Sequence, residues 1–513
     1  MILPIFNILK EIIELKTKKT SRFTLLPSNK SHKMRISLLL PFLLLFSNLF
    51  AQSSEEITLL FMGDIMQHGY QLKAAKTDSG YNYHPNYRYA RHIIRDADVA
   101  IGNLELTLSG SNYSGYPTFS APDELALALK DAGFDFLVTA NNHSLDRRKK
   151  GLERTIDVLD RLQIPHTGTF KTPESKSQGH PAFFEKNGFK LAILNYTYGT
   201  NGIPVTEPNV VNLLDKEQIR KDIHTAKKAS PDIVIVFTHW GFEYNSLPNQ
   251  EQKDIAALCL AEGVDLVIGS HPHVLQPIER ITNKNGKDQL VAYSLGNYIS
   301  NQRKRYTDGG MSLQVSFKKD SSGTKMTDAG YYLSWIYPSP SENGQFYILP
   351  ATMFEYNHKI IKEQANVEKM ELYLSDSRNL FSKYNKNIKE YRVFPLLEGS
   401  APDFRPDTTF KMSKPIQSGT PKTNKITRPT TKNPIKEIKV PLPVYRIQIF
   451  VSSGKMDEDI LPQSWKDRLI VVKVGDVNKY QLGDWKTRED AEIFLKEVRS
   501  NEQYKDAFIL TIK

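Results

Sequence analysis

An α/β fold is what residues 57–300 predict, on two observations: apolar runs of four to seven residues alternate with amphipathic segments, and a polar cluster follows nearly every run. Runs that are apolar throughout belong to strands buried on both faces, as in a partly parallel sheet. The expected strands are Ile57–Met62, Val99–Ile101, Phe134–Thr139, Leu191–Tyr196, Ile233–Phe237, Leu266–Ile268 and Leu290–Tyr293. Between them Pro122–Ala132, Leu152–Leu162, Lys216–Lys228 and Gln250–Glu262 carry apolar residues at helical spacing. The first of these has Pro122 at its start and Gly133 just beyond its end, where helix boundaries favour them. Segments 311–318, 329–336 and 345–350 read as further strands and 361–385 as a helix, so one large domain spans 57–398.

Composition changes sharply after that domain. Residues 399–443 are rich in Pro, Lys, Thr and Ser with few large apolar side chains, the signature of an extended, flexible linker. Residues 444–513 then form a small α+β module: Tyr445–Val451, Leu469–Val474, Lys479–Leu482 and Phe508–Ile512 as strands, and Arg488–Arg499 at helical spacing. Its first helical stretch is interrupted by Pro462.

The formal charge of +11 belongs to the parts expected to lie outside the folded domains. Residues 1–51 carry eight Lys or Arg and two acids, and residues 401–443 carry nine and three, which leaves a net −1 for everything else. A nucleic-acid partner needs positive charge on a folded face, so none is expected. The single cysteine, Cys259, excludes an internal disulfide framework and a Cys-rich zinc module, and reads as a buried helical residue. Within 1–51, Met34-Arg35 precedes an uncharged, Leu-rich run over 36–50, and Ala51 precedes a polar stretch. This is the layout of a signal peptide, with Met34 as the expected start. At fifteen residues the run is shorter than the roughly twenty of a spanning helix. The expectation is export to the periplasm or cell envelope, either soluble after cleavage or held by an N-terminal anchor.

Six polar clusters follow the expected strands: Gly63-Asp64, Asn103-Leu104-Glu105, Asn141-Asn142-His143, His239-Trp240-Gly241, His271-Pro272-His273 and Gly296-Asn297. In an open α/β sheet, ligands bind beyond the carboxyl ends of the strands, so clusters on one edge argue for one site. Taken singly, each has a plain explanation: Asp64 and Asn142 as turn residues, Glu105 as a cap or solvated acid, His239 as a packed ring beside Trp240. Their joint placement is what points to a site. Asp64, Glu105, Asn142, His239, His271 and His273 make a mixed nitrogen and oxygen donor set suited to Mn, Fe or Zn, with Glu105 as the bridging acid of a two-ion centre. Two divalent ions against two carboxylates leave a positive pocket for anionic substrates. His143 is the candidate proton donor. Glu243, Asn141 and Asn297 are candidates for substrate contact or for support of the ligands.

Phe61-Met62-Gly63-Asp64-Ile65-Met66, Asn103-Leu104-Glu105, Ala140-Asn141-Asn142-His143, His239-Trp240-Gly241-Phe242-Glu243-Tyr244, Gly269-Ser270-His271-Pro272-His273 and Ser294-Leu295-Gly296-Asn297 together resemble the CapA family of poly-gamma-glutamate capsule synthesis proteins. That family is similar to the calcineurin-like metallophosphoesterases. The resemblance implies a metallophosphoesterase-like αββα sandwich with a dinuclear centre, Asp64, Glu105, Asn142, His239, His271 and His273 as ligands and His143 as the catalytic residue. One departure stands out: Met66 occupies the place of the histidine usual two residues after the first aspartate. A thioether suits a hard dication poorly, so the resemblance implies two ions, or one where Met66 costs a site, with His68 as the candidate to complete it.

In the C-terminal module, Tyr445-Arg446-Ile447-Gln448-Ile449 and Lys479-Tyr480-Gln481-Leu482-Gly483-Asp484-Trp485 resemble a SPOR domain. That resemblance implies a ferredoxin-like fold binding peptidoglycan glycan strands, with Gln448, Tyr480 and Trp485 at the contact surface. The expected whole is an exported protein of capsule or poly-gamma-glutamate synthesis or processing. Its hydrolase-type site would act on an anionic envelope polymer such as poly-gamma-glutamate. A phosphoesterase on a phosphorylated envelope metabolite and a non-catalytic polymer-binding scaffold are the rival readings.

Overall fold

The computed structural model describes residues 55–355, 358–393, 444–452, 461, 463–466, 468–474, 477–486, 490–491, 494–495, 497–498 and 508–512. The expected leader (1–51, including Met34) and linker (399–443) lie outside them. Among the described residues no helix is long and apolar enough to cross a membrane. The chain divides into two compact units, Met1–Ile416 and Gln417–Lys513.

In the first unit β1 (Glu55–Ile65) leads through α1 (Gly69–Ala75) and α2 (Arg91–Asp96) to β2 (Val99–Leu104), α3 (Asp123–Ala132), β3 (Phe136–Val138), α4 (Arg148–Arg161) and β4 (His166–Thr167). A second series follows: β5 (Ala182–Lys186), β6 (Phe189–Thr197), α5 (Lys216–Lys228), β7 (Ile233–His239), α6 (Gln250–Ala261), β8 (Leu266–Ser270), β9 (Ile278–Thr282) and β10 (Asp288–Ala292). The chain then runs through β11 (Asn297–Ile299), β12 (Gly309–Asp320), β13 (Gly323–Ser339), β14 (Gln345–Pro350) and α7 (Gln364–Tyr384).

The first sheet has the order β14-β13-β12-β1-β2-β3-β4, with β11 beside the end of β1. Its β1 to β4 run parallel and β12 to β14 flank them antiparallel. The second sheet, β9-β10-β8-β7-β6-β5, has four parallel central strands and antiparallel edges. Alternation along each strand builds the layers. Leu59, Phe61, Ile101 and Phe136 of the first sheet share one buried cluster with Leu191, Ile193, Ile235, Phe237 and Ile268 of the second. Their neighbours Leu60, Met62, Ala100 and Leu137 turn outward onto Leu125 and Leu129 of α3 and Val158 and Leu159 of α4. On the far side Leu194, Val236 and Val267 meet Ile219 and Ile223 of α5 and Ile255 and Cys259 of α6. The result is an αββα sandwich, and it explains why these strands are apolar on both faces.

Helix ends follow local chemistry. Gly133 ends α3 at φ 113°, a left-handed conformation that glycine adopts without penalty. The Asp215 carboxylate accepts from the Gln218 amide at the start of α5, 2.7 Å. Asn249 and Gln252 cap each other at the start of α6. Two segments depart from the sequence pattern. The strand expected over Phe134–Thr139 is confined to Phe136–Val138, because the Phe134 amide bonds back to Leu129 O (3.1 Å) and the Thr139 amide and hydroxyl both turn to Thr167 O. β12 and β13 run well beyond 311–318 and 329–336 to meet in a tight hairpin, with Gly323 at φ 110°.

The two sheets meet where β1 ends. The Asp64 amide donates to Gly296 O at 3.0 Å, joining β1 to the chain that has just left β10. Only a glycine fits there: a Cβ on Gly63 would lie 2.0 Å from Gly296 O.

The C-terminal unit is a four-stranded antiparallel sheet of β15 (Val444–Ser452), β16 (Leu469–Val474), β17 (Val477–Trp485) and β18 (Phe508–Ile512) in the order β16-β17-β15-β18. This is the strand order of a ferredoxin-like sheet. The first helical element is a single turn, Gln463–Lys466, and Ile447, Trp465, Tyr480, Leu482 and Val498 form the core.

Because the atom facing Gly63 is backbone and cannot rotate away, Gly63→Ala is expected to lower unfolding stability by about 1–3 kcal/mol. Urea denaturation checks this; an unchanged midpoint would mean that the seam between the sheets can part without cost.

Candidate metal centre

Every candidate ligand sits at or just beyond the C-terminal end of a strand. Register places Asp64 of β1 opposite Asn103 of β2 and Asn297 of β11, and His239 of β7 opposite Ser270 of β8. Three groups of side chains bring donor atoms within 4.8 Å of one another: Glu105 with His239 and His271; Asp64 with Glu105 and His273; and Glu243 with His271 and His273. Glu105 is common to the first two. Asn142 joins the first group, its Oδ1 lying 2.8 Å from His239 Nε2.

Hydrogen bonds aim these donors. Asn103 is the hub: its amide nitrogen donates to Asp64 Oδ1 at 2.9 Å and lies 3.5 Å from Glu105 Oε2, while its oxygen accepts from Asn141. His273 Nδ1 lies 3.1 Å from both Asp64 Oδ2 and Asn297 Oδ1. Two acceptors on one nitrogen assign a proton there, and Nε2 lies 3.9 Å from Glu105 Oε1. Ser270 Oγ, 2.9 Å from His239 Nδ1, holds that ring with Nε2 toward Asn142 and Glu105. His271 packs against Tyr198, ring centroids 4.5 Å apart, and against His239 at 4.8 Å. His271 and His273 both have left-handed backbones, φ 96° and 58°. For non-glycine residues such strain costs on the order of 1–3 kcal/mol each and clusters at functional sites.

Burial governs the charges. It drives His239 down to about 3 and His271 well below the usual imidazole range. Burial, reinforced by the Asp64 charge, lifts Glu105 well above the usual carboxylate range. Burial thus works against an ion pair between His239 Nε2 and Glu105 Oε1, which lie 3.5 Å apart. Asp64 and His273 behave oppositely. Burial opposes both charges, but the hydrogen bond and mutual attraction outweigh it, holding Asp64 below and His273 above their ordinary values.

The residues fit a divalent transition ion. Glu105 Oε1 and His271 Nδ1 are buried without any hydrogen-bond partner, and oxygen and imidazole donors converge as such ions require. His143 stands beside this set. Its Nδ1 lies 2.7 Å from Asp146 Oδ2, which also accepts from the Phe119 amide, and its ring packs edge-on against Phe119. Asn141 ties the His143 loop to β2 by donating to Leu104 O at 2.8 Å, and Asn297 is pinned by Thr307 O and Gln302.

His68 joins none of the donor groups. Its Nδ1 accepts from the Asn301 amide at 3.2 Å, its ring lies edge-on to Phe119, and burial lowers it to about 4. Met66 is buried in the apolar cluster of the outer face. Asn103 and Ser270 lie inside the motifs and Asp146 three residues beyond one, yet their supporting roles show only in three dimensions. Tyr198 carries no sequence signal at all. In the C-terminal unit Tyr480 is buried in the core and Trp485 lies half-buried beneath Arg468, while the side chain of Gln448 lies outside the described residues.

The family model described as "Bacterial capsule synthesis protein PGA_cap" matches residues 58–302. The capsule biosynthesis protein CapA of Bacillus anthracis is 28% identical over 288 residues, 54% of this chain and 67% of that one. The PGA biosynthesis protein CapA of Bacillus subtilis (strain 168) is 30% identical over 278 residues, 53% and 70% of the two chains. Among solved structures, a calcineurin-like phosphoesterase of Bacillus subtilis aligns with a TM-score of 0.36 at 14% identity, covering 55% of this chain and 90% of that one.

The depressed His239 has a stability consequence in metal-free protein. The unfolded chain protonates this residue below about pH 6.5 while the folded site refuses the proton down to about pH 3. Stability must therefore fall with pH across that window. Against His239→Gln, wild type is expected to lose roughly 1 kcal/mol of relative stability per pH unit between pH 6 and 4. Chelator-treated samples in urea measure it; a pH-independent difference would show that the ring is not shielded from water.

Proposed function

The chain belongs to the CapA family of bacterial capsule synthesis proteins, and we propose on that premise that it is an exported, metal-dependent hydrolase of an anionic envelope polymer, poly-gamma-glutamate or a related glutamyl compound. The observation that carries the proposal is the convergence of Asp64, Glu105, His239, His271 and His273 on one edge, with two buried donor atoms left unpartnered. Bound divalent ions would supply Lewis acidity and positive charge there, which suits an anionic substrate.

The chain's own residues perform the remaining work. Asp146 and Phe119 hold the His143 ring so that Nδ1 is occupied and Nε2 is the atom through which a proton moves to or from the reacting bond. Around the donors Tyr116, Tyr198, Phe242 and Tyr244 expose their rings. Tyr198 packs on His271, and the Lys304 ammonium lies 4.6 Å over the Tyr244 ring. An aromatic and cationic rim of this kind suits an extended, acidic chain more than a small metabolite. The C-terminal unit, by its strand order and its resemblance to SPOR domains, is assigned to peptidoglycan glycan strands.

The test is to incubate manganese-loaded full-length protein with poly-gamma-glutamate and follow polymer length by gel filtration. Shortening is expected, with a loss of about 100-fold or more in His143→Ala. Release of phosphate from simple phosphodiesters with the polymer untouched would select the phosphoesterase reading. Binding of the polymer without product would select the scaffold. Separately, removing residues 444–513 is expected to abolish co-sedimentation with cell-wall sacculi; unchanged sedimentation would remove the anchoring role.

A further inference from the structure

We propose that Glu243 is a metal ligand, the carboxylate that joins the centre through His271 and His273. The inference rests on the metal-centre reading above and assigns it a donor from a loop that follows β7.

The ion position of Asp64, Glu105 and His273 is short of protein donors. Asp64, Glu105 and His273 supply three, whereas the Glu105, His239 and His271 group has Asn142 as a fourth. The nearby residues of the β1 loop do not make up the difference. Met66 is buried among apolar side chains of the outer face, and His68 is engaged by the Asn301 amide and lies in no donor group. Glu243, by contrast, brings a carboxylate oxygen within 4.8 Å of donor atoms on both His271 and His273. Buried His271 Nδ1, which has no partner, belongs to the same cluster.

The backbone carries Glu243 to this place for a structural reason. The next residue, Tyr244, donates its amide to Pro272 O at 2.8 Å, and Pro272 is the residue between the two histidines. Gln276, just beyond them, donates to Asn245 O at 2.7 Å and is itself held by Gln252 at 2.8 Å. Gly241 at φ 85° and Tyr244 at φ 68° provide the sharp bends on either side. The loop bearing Glu243 is thus clamped to the loop bearing the histidines, so the three donors move as one body. Among the described residues Glu243 makes no ion pair with Lys or Arg, and it is exposed where the other charged donors are buried. It stands on the solvent side of the cluster. With Asp64 and Glu105, Glu243 would give three carboxylates against two dications, still a net positive centre.

The test measures Mn2+ binding to full-length protein by equilibrium dialysis with metal analysis, beside Glu243→Gln, Glu243→His, His68→Ala and the His271→Ala, His273→Ala double variant. Glu243→Gln is expected to lose one equivalent or to weaken one binding class by more than the roughly 10–100-fold that an outer partner costs. Glu243→His, which puts an imidazole in place of the weaker amide oxygen without the negative charge, is expected to recover binding, and His68→Ala to bind as wild type does. Unchanged stoichiometry and affinity in Glu243→Gln, with metal lost in the double histidine variant, would overturn the assignment and leave the metal centre standing. A Glu243→His variant no better than Glu243→Gln would reduce Glu243 to a field effect and overturn it equally. Wild-type protein that binds no Mn2+ would overturn both readings.

Discussion

The close approach of β1 to the segment that leaves β10 is the constraint on which the rest of the site depends. Gly63 lets the chain lie against Gly296 O, and the Asp64 amide bonds to that same oxygen. Asp64 therefore enters the site from the first sheet at a position set by the second. Leu295 extends the tie by donating to Gly269 O of β8, and Met311 of β12 donates to Leu295 O. A single stretch of chain thus fastens β1, β8 and β12 together beside the donors. Without it, the ligands from the two sheets would share an edge but not a common centre.

Given that geometry, the electrostatics follow from burial. Asp64, Glu105, His239, His271 and His273 are all buried, so charges there are costly unless paired. The fold reduces the cost by pairing Asp64 with His273 and by pushing Glu105, His239 and His271 toward their neutral forms. Asn103 adds a neutral donor between the carboxylates. What burial leaves unmet are Glu105 Oε1 and His271 Nδ1. A dication would satisfy both and would reverse the balance at Glu105, where it favours the ionised form. The same cation would compensate the left-handed backbones at His271 and His273, which the fold holds in place through flanking strand and loop contacts.

Much of this was legible in the sequence because strand ends are. A parallel strand buried on both faces is apolar along its whole length, so the first polar residue after Ile57–Met62, Val99–Ile101 or Ile233–Phe237 marks the edge where a site forms. Elements without that signature were not legible. β11 is three residues long and owes its pairing to the Gly63 and Gly296 approach, a long-range fact with no local pattern. Tyr198 reaches His271 only because β6 lies beside β7 in the second sheet. Tyr480 illustrates the opposite error: an aromatic in a binding motif faces whichever side its strand register dictates, and here that side is the core.

Met66 shows why a motif position is a statement about direction as well as identity. Register shifts at Asp64 and Ile65, where β1 keeps its pairing with β2 and passes from β12 to β11 on its other edge. Past that irregularity Met66 donates its amide to Ile299 O and sinks its side chain into the outer apolar cluster. An imidazole at residue 66 would face Ile65, Tyr298 and their neighbours unless the backbone turned, and burial would work against its charge. The methionine is thus better explained as a core residue suited to this path than as a ligand position left vacant. The 241–244 loop is clamped to the histidine segment by Tyr244 and Gln276. In a site assembled from loops on a rigid sheet, a donor lost from one loop changes the demand on the others, because each loop reaches the same centre from its own strand end.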